Sequence, residues 1–283
     1  MPSAPSRWTA PLRPVACPAR RLVVFPHAGS GPRRYAELAS ALPDDADVLG
    51  VTLPGRERRD AEPAGTTVRE AVSAIAGEVA ALPPAPTVFY GHSMGALLAT
   101  ATAYAAPGQC HFLVASCSPP GRFPHSRLPP GRGATPHEDE LAAILSRHGL
   151  PADAPDNRSL PPAHTVLAHD LRLAHGLLTA VEVVSLPVPL IALGGRDDHL
   201  VDPELLSLWG KFTSVSFRAQ LVDGGHFFPF TPYGGQAVLD ELSAALADAV
   251  RITRVSSAAP GCRAHPWDPE GRAPGARPAL RPR

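Results

Sequence analysis

The chain of 283 residues is long enough for one large α/β domain. Its formal net charge of zero leaves no electrostatic footprint for nucleic acid or an anionic membrane surface, and it holds no run of 18 apolar residues to span a bilayer. The four cysteines, Cys17, Cys110, Cys117 and Cys262, lack C-x-x-C spacing, which argues against a disulfide framework or zinc site and fits a reducing cytosol.

Residues 1–20 carry five prolines and no aliphatic run, so a flexible leader without signal-peptide character is expected, and with it a cytoplasmic location. Residues 21–25 (RLVVF) read as a short buried strand that Pro26 ends. A helix is predicted over 33–42 and a strand over 47–53 (DVLGVTL). Between 67 and 82, Val68, Ala71, Val72, Ile75, Val79 and Leu82 recur at helical spacing. Further strands are predicted at 87–90, 111–117, 188–193 and 217–222, with a small-residue helix at 96–106. This alternation implies the α/β class, with a mainly parallel sheet covered on both faces.

The interval 118–186 breaks the rhythm. A proline- and glycine-rich loop up to 136 precedes helical segments around 138–148 and 164–181. A long insertion between late strands is where such folds place a lid over an active site; the alternative is a packed helical decoration without gating. Val238, Leu239, Leu242, Leu246 and Ala249 mark the apolar face of a last helix. From 251 onward, six prolines and seven arginines without apolar periodicity predict a disordered tail. The organisation expected is therefore a leader at 1–20, one domain at 21–250 and a tail at 251–283.

The chemistry concentrates at Gly91-His92-Ser93-Met94-Gly95, which joins the strand at 87–90 to the following helix. In a strand–elbow–helix setting, G-x-S-x-G puts the serine on a strained turn with its hydroxyl exposed at the sheet end. Glycines two residues to either side are needed because a Cβ there would meet the adjoining strand and helix. The Met94 N–H opens the helix and is placed to donate to a developing oxyanion. A serine nucleophile needs a histidine base oriented by a carboxylate, in chain order Ser, Asp/Glu, His on this sheet type. Asp198 follows the strand at 188–193 and His226 follows the strand at 217–222, both at carboxyl ends. Counted from Gly195 in G-x-x-D-x-x-V, the carboxylate falls on Asp198 with Val201 beneath; counted from Gly194, it falls on Asp197. Asp198 is the expected member. The second oxyanion donor is expected from the loop Pro26-His27-Ala28-Gly29-Ser30-Gly31, at the N–H of Ala28. His27 and His92 are read as fillers of their turns.

His164, His169, Asp170 and His175 share the predicted second lid helix, but their spacing drifts around it rather than stacking as i, i+4. Neither a metal nor another cofactor is expected.

With those residues in view, the chain resembles the type II thioesterases that accompany polyketide synthases and nonribosomal peptide synthetases. The resemblance covers about residues 20–250. It rests on LVVFPHAGSG (22–31), VTLPGRERR (51–59), GHSMGALLA (91–99), ALGGRDDHLV (192–201) and VDGGHFFPF (222–230). It implies an α/β-hydrolase fold with a helical lid. The implied activity is hydrolysis of acyl groups from the phosphopantetheine arm of carrier proteins, clearing misprimed or stalled assembly lines. Ser93, Asp198 and His226 match the family's triad positions, and Ala28 and Met94 its oxyanion positions. Arg56 would meet the arm's phosphate or form a structural ion pair with a nearby carboxylate. The rival readings are a carboxylester hydrolase of the same fold and a non-catalytic hydrolase-like binding module. A monomer is expected, with a carrier protein as partner. Three features depart from the family: the proline- and arginine-rich loop at 118–136, Thr100 and Thr102 in place of a bulky aromatic after the elbow, and the tail.

Overall fold

The computed structural model describes residues 8–121 and 162–258. Seven strands form one sheet in the order β1-β3-β2-β4-β5-β6-β7. They are β1 (Thr9–Arg13), β2 (Arg20–Phe25), β3 (Ala46–Val51), β4 (Thr87–His92), β5 (Phe112–Ser116), β6 (Leu190–Gly195) and β7 (Phe217–Val222). All pairings are parallel except that of β1 with β3. The helices are α1 (Ala36–Ser40), α2 (Val68–Ala80), α3 (Met94–Ala105), α4 (Pro162–Ala180) and α5 (Pro232–Ala258). This is the α/β-hydrolase architecture expected from the sequence.

Strand alternation sorts the apolar residues onto two faces. Val23, Phe25 and Phe89 point into one core with α2, α3 and the leucines of α4. Leu22, Val24, Val88 and Tyr90 point into the other with α1 and α5. Central strands buried on both sides read as continuous apolar runs, and β2 and β4 do. Helix α2 starts where the spacing predicted: Thr67 caps it, its hydroxyl accepting the Glu70 N–H at 3.1 Å.

The order of strands positions the site. From β2 the chain steps outward to β3, then returns across β2 to β4. Such a reversal opens a crevice beyond the carboxyl ends of the strands between which it occurs. The loop after β2 and the elbow after β4 therefore meet.

Four elements differ from the sequence expectation. Part of the supposed leader is ordered: Trp8 is buried and β1 adds an antiparallel edge strand to β3. Pro11 hid this strand. A proline cannot serve a central ladder but is tolerated at an edge, where this strand also carries a register shift between Pro11 and Arg13. The guanidinium of Arg59 covers the Trp8 ring at 4.1 Å, and the carboxylate of Glu78 accepts the Trp8 and Thr9 N–H groups. The helix expected over 33–42 is divided, a 3₁₀ turn at Pro32–Tyr35 preceding α1. Helix α5 continues past 250 to Ala258, since Ile252 still packs on the core. A 3₁₀ segment at Pro203–Phe212 went unanticipated; its buried Trp209 donates from Nε1 to the Ser118 carbonyl at 2.8 Å. The helical segment expected around 138–148 lies outside the described residues, whereas that at 164–181 is α4. Among the described residues, no helix is long and apolar enough to cross a membrane.

Candidate active site

The elbow follows from two close approaches. A Cβ on Gly91 would lie 2.3 Å from the Gly95 carbonyl oxygen and 2.4 Å from the Ala96 Cα. A Cβ on Gly95 would lie 1.9 Å from the Phe25 carbonyl oxygen. Real Cβ atoms do not come so close, so glycine is required at both positions. Between them Ser93 adopts φ 56° and ψ −124°, a region that L residues rarely occupy. Such strain persists only where surrounding structure imposes it, and it marks functional positions. The Ser93 N–H is held by the Ser116 carbonyl at 2.7 Å, tying the elbow to β5.

Neighbouring strands β6 and β7 bring Asp198 and His226 together. His226 Nδ1 and Asp198 Oδ2 are 2.9 Å apart, and both side chains are buried. The other carboxylate oxygen accepts the N–H groups of Leu200 at 2.8 Å and Val201 at 3.0 Å. Burial pushes the Asp198 carboxyl up, but the His226 hydrogen bond and the two backbone donors outweigh it and hold the pKa below the ordinary value. Asp197 is exposed, and its N–H is spent on the Gly224 carbonyl. The geometry pairs His226 with Asp198.

Ser93, His226, Ala28 and Met94 line one cavity of about 500 Å³. Its apolar wall comes from Leu97 of α3 and from Leu167, Leu171, Ala174 and Leu178 of α4. The α4 residues fall at helical spacing and so share one face. Their periodicity was visible in the sequence, although nothing there told which cavity the face would line.

His27 does more than fill its turn: it lines the cavity, with its ring 5.4 Å from His92 and 5.3 Å from Phe227. Its Nδ1 meets the Tyr35 hydroxyl at 2.9 Å. Burial, then the neighbouring His226 and Arg34, lowers the His27 pKa to about 4. His92 is completely buried, and burial followed by His27 and His226 pushes it well below the ordinary range. Two neutral imidazoles thus flank His226. Beside the pair lies Cys117, whose burial, followed by the Asp198 charge, raises its thiol pKa far above the ordinary value and keeps it protonated.

The arginines of residues 51–59 are structural. Arg56 is 8 % exposed and forms a two-pronged ion pair with Asp170 of α4, Nη1 to Oδ2 at 2.5 Å and Nη2 to Oδ1 at 2.6 Å. Of the two roles open to it, the structure shows the ion pair. Arg58 donates to the Thr9 carbonyl at 2.7 Å. Arg59 donates to the Thr52 carbonyl and to both oxygens of Glu62. Sequence reasoning left Asp170 without a role because its partner lies 114 residues away.

The family model described as Thioesterase domain matches residues 20–246. The chain is 31% identical over 268 residues to a protein of Streptomyces griseus named as a probable cadicidin biosynthesis thioesterase, covering 90% of this chain and 69% of that one. It is similar in structure to the type II thioesterase BorB from the borrelidin biosynthetic cluster, with TM-score 0.61 and 27% identity, covering 85% of this chain and 96% of the other. It is likewise similar to RedJ, the thioesterase from the prodiginine pathway of Streptomyces coelicolor, with TM-score 0.62 and 28% identity, covering 83% of this chain and 91% of the other. The chain belongs to the thioesterase family, a thioester hydrolase on the α/β-hydrolase fold of the type II thioesterases.

Proposed function

We propose that this enzyme hydrolyses acyl thioesters from the phosphopantetheine arm of carrier proteins in polyketide or nonribosomal peptide biosynthesis, removing aberrant or misprimed groups. One observation carries the hydrolytic chemistry, while likeness to biosynthetic thioesterases supports the carrier-bound substrate. A strained serine shares a cavity with a histidine whose far nitrogen is bound to a buried carboxylate.

In the mechanism that follows, Ser93 Oγ attacks the thioester carbonyl carbon and its proton passes to Nε2 of His226. Asp198 holds Nδ1–H, fixing the tautomer that leaves Nε2 free to accept, and stabilises the imidazolium that forms. The N–H groups of Ala28 and Met94 receive the oxyanion, each worth about 3–4 kcal/mol of barrier where such donors have been removed from other enzymes. The tetrahedral adduct collapses, the C–S bond breaks and the arm leaves as its thiol with the proton from His226. Water, deprotonated by His226, then attacks the acyl-serine carbonyl; the bond between the acyl carbon and Ser93 Oγ breaks, His226 returns its proton to Oγ, and the free acid leaves. A thiolate leaves readily, so the acid step is less demanding here than for an amide.

Helix α4 supplies the leucine wall for the acyl chain and serves as a lid helix over the cavity. The test compares kcat/KM for an acyl-phosphopantetheinyl carrier protein with that for a p-nitrophenyl ester of the same acyl group. The reading predicts preference for the carrier thioester. Preference for the simple ester would favour a carboxylester hydrolase.

A further inference from the structure

Asp170 sits on α4, 3 % exposed, and its carboxylate is committed to two elements at once. Besides the two hydrogen bonds from Arg56, its Oδ2 accepts the Gly29 N–H at 2.7 Å. Arg56 in turn donates from Nη1 to the Ser30 carbonyl at 3.0 Å. The lid helix and the loop after β3 therefore grip residues 29 and 30 of the loop after β2 from opposite partners.

That grip reaches the Ala28 N–H through the backbone. The Ser30 N–H donates to the His27 carbonyl at 3.1 Å, closing a turn over residues 27–30. The His27 carbonyl and the Ala28 N–H belong to one peptide unit, which is trans and planar, so they point in opposite directions. Holding Ser30 thus sets the direction in which the Ala28 N–H is aimed. Gly29, at φ +79°, turns the chain in the left-handed region, and a Cβ there would lie 3.3 Å from Leu167 of α4. The turn is thus seated directly against the lid helix.

We propose that Asp170 is a positioning residue for the oxyanion hole: by clamping Gly29 and, through Arg56, Ser30, it couples the seating of helix α4 to the aim of the Ala28 N–H. A lid helix lifted from its seat would then leave the hole incomplete, so that hydrolysis is coupled to closure over the acyl chain. This inference rests on the reading of Ser93 and Ala28 given above.

The test uses Asp170→Asn and the double variant Arg56→Met/Asp170→Leu, each in the full chain, with Ser93→Ala alongside. Replacing a buried ion pair by apolar residues of similar volume is often neutral for stability, so the double variant separates folding from positioning. Melting temperature, kcat and KM on an acyl N-acetylcysteamine thioester, and inhibition by an alkylboronic acid are measured. The boronate forms a tetrahedral adduct on the serine and reports the hole directly. The expected result is a kcat lower by about tenfold or more, KM within about twofold, and boronate affinity weakened in step with kcat, in a double variant that melts like wild type. Wild-type kcat and boronate affinity in the stably folded double variant would overturn the inference. A loss of kcat without weakened boronate binding would overturn it as well. An inactive Ser93→Ala beside an unimpaired double variant rejects only the clamp, whereas full hydrolysis by Ser93→Ala rejects the reading beneath it.

Discussion

Gly95, two residues after Ser93 in the elbow, is packed so tightly on Phe25 that the β2 backbone fills the space a side chain would need. The same contact sets the elbow against the start of the loop that carries Ala28. Gly95→Ala is predicted to destabilise the fold by about 3 kcal/mol or more, as overpacking against backbone gives no room to relax. Gly77, exposed in α2 with nothing near its missing Cβ, is the control: Gly77→Ala is predicted to stabilise by about 0.5–1 kcal/mol. Urea denaturation of the two variants measures both.

The two adjacent aspartates are predicted to separate cleanly. Asp198→Asn removes the acceptor that orients His226 and should lower kcat by about 10³- to 10⁴-fold with little change in KM. Asp197→Asn, at an exposed position, should leave kcat within about twofold. Steady-state kinetics on one thioester distinguishes them.

Acid should destabilise the fold through the buried imidazoles. His27 titrates near its ordinary value of 6.5 in the unfolded chain but at about 4 when folded. Between these values the unfolded chain binds the extra proton, so stability is full above pH 6.5 and falls as pH drops towards 4. His92 is shifted in the same direction, so its loss also begins as pH falls below the ordinary imidazole value. Each group contributes a slope of about 1.4 kcal/mol per pH unit. Asp198, held below its ordinary value, adds a loss only at still lower pH. Denaturation curves across this range should steepen as stated and become shallower in His92→Asn; an unchanged slope would show that the imidazole is not held neutral.

The leucine wall should set acyl length. Leu171→Phe narrows the cavity between α3 and α4 and is predicted to lower kcat/KM for a decanoyl thioester by about tenfold relative to acetyl. The ratio of the two specificity constants is the readout.

The parts of this molecule that were legible in its sequence are those governed by local rules. The elbow announces itself because Gly91 answers to contacts within its own strand–turn–helix unit and Gly95 to the adjoining strand β2. Helix α2 shows its capping threonine and apolar period, and β2 and β4 show uninterrupted apolar runs. Strand β1 did not show, because an edge strand can keep Pro11 and needs only one buried anchor, Trp8. Helix α5 ran past its expected end because helical continuity outlasts an obvious apolar face. The partner of Arg56 is a matter of tertiary placement: a carboxylate was foreseen, but no periodicity links residue 56 to Asp170. The cavity role of His27 was missed for the same reason, since its neighbours His92 and Phe227 arrive from other strands.

The central claim is thioester hydrolysis by Ser93 on a carrier-bound acyl group. Intact-mass spectrometry of an acyl-phosphopantetheinyl carrier protein, incubated with wild type or Ser93→Ala, tests it most directly. The account predicts that wild type returns the carrier to its free-thiol mass while Ser93→Ala leaves the acyl mass in place. Equal acyl loss with both proteins would contradict it.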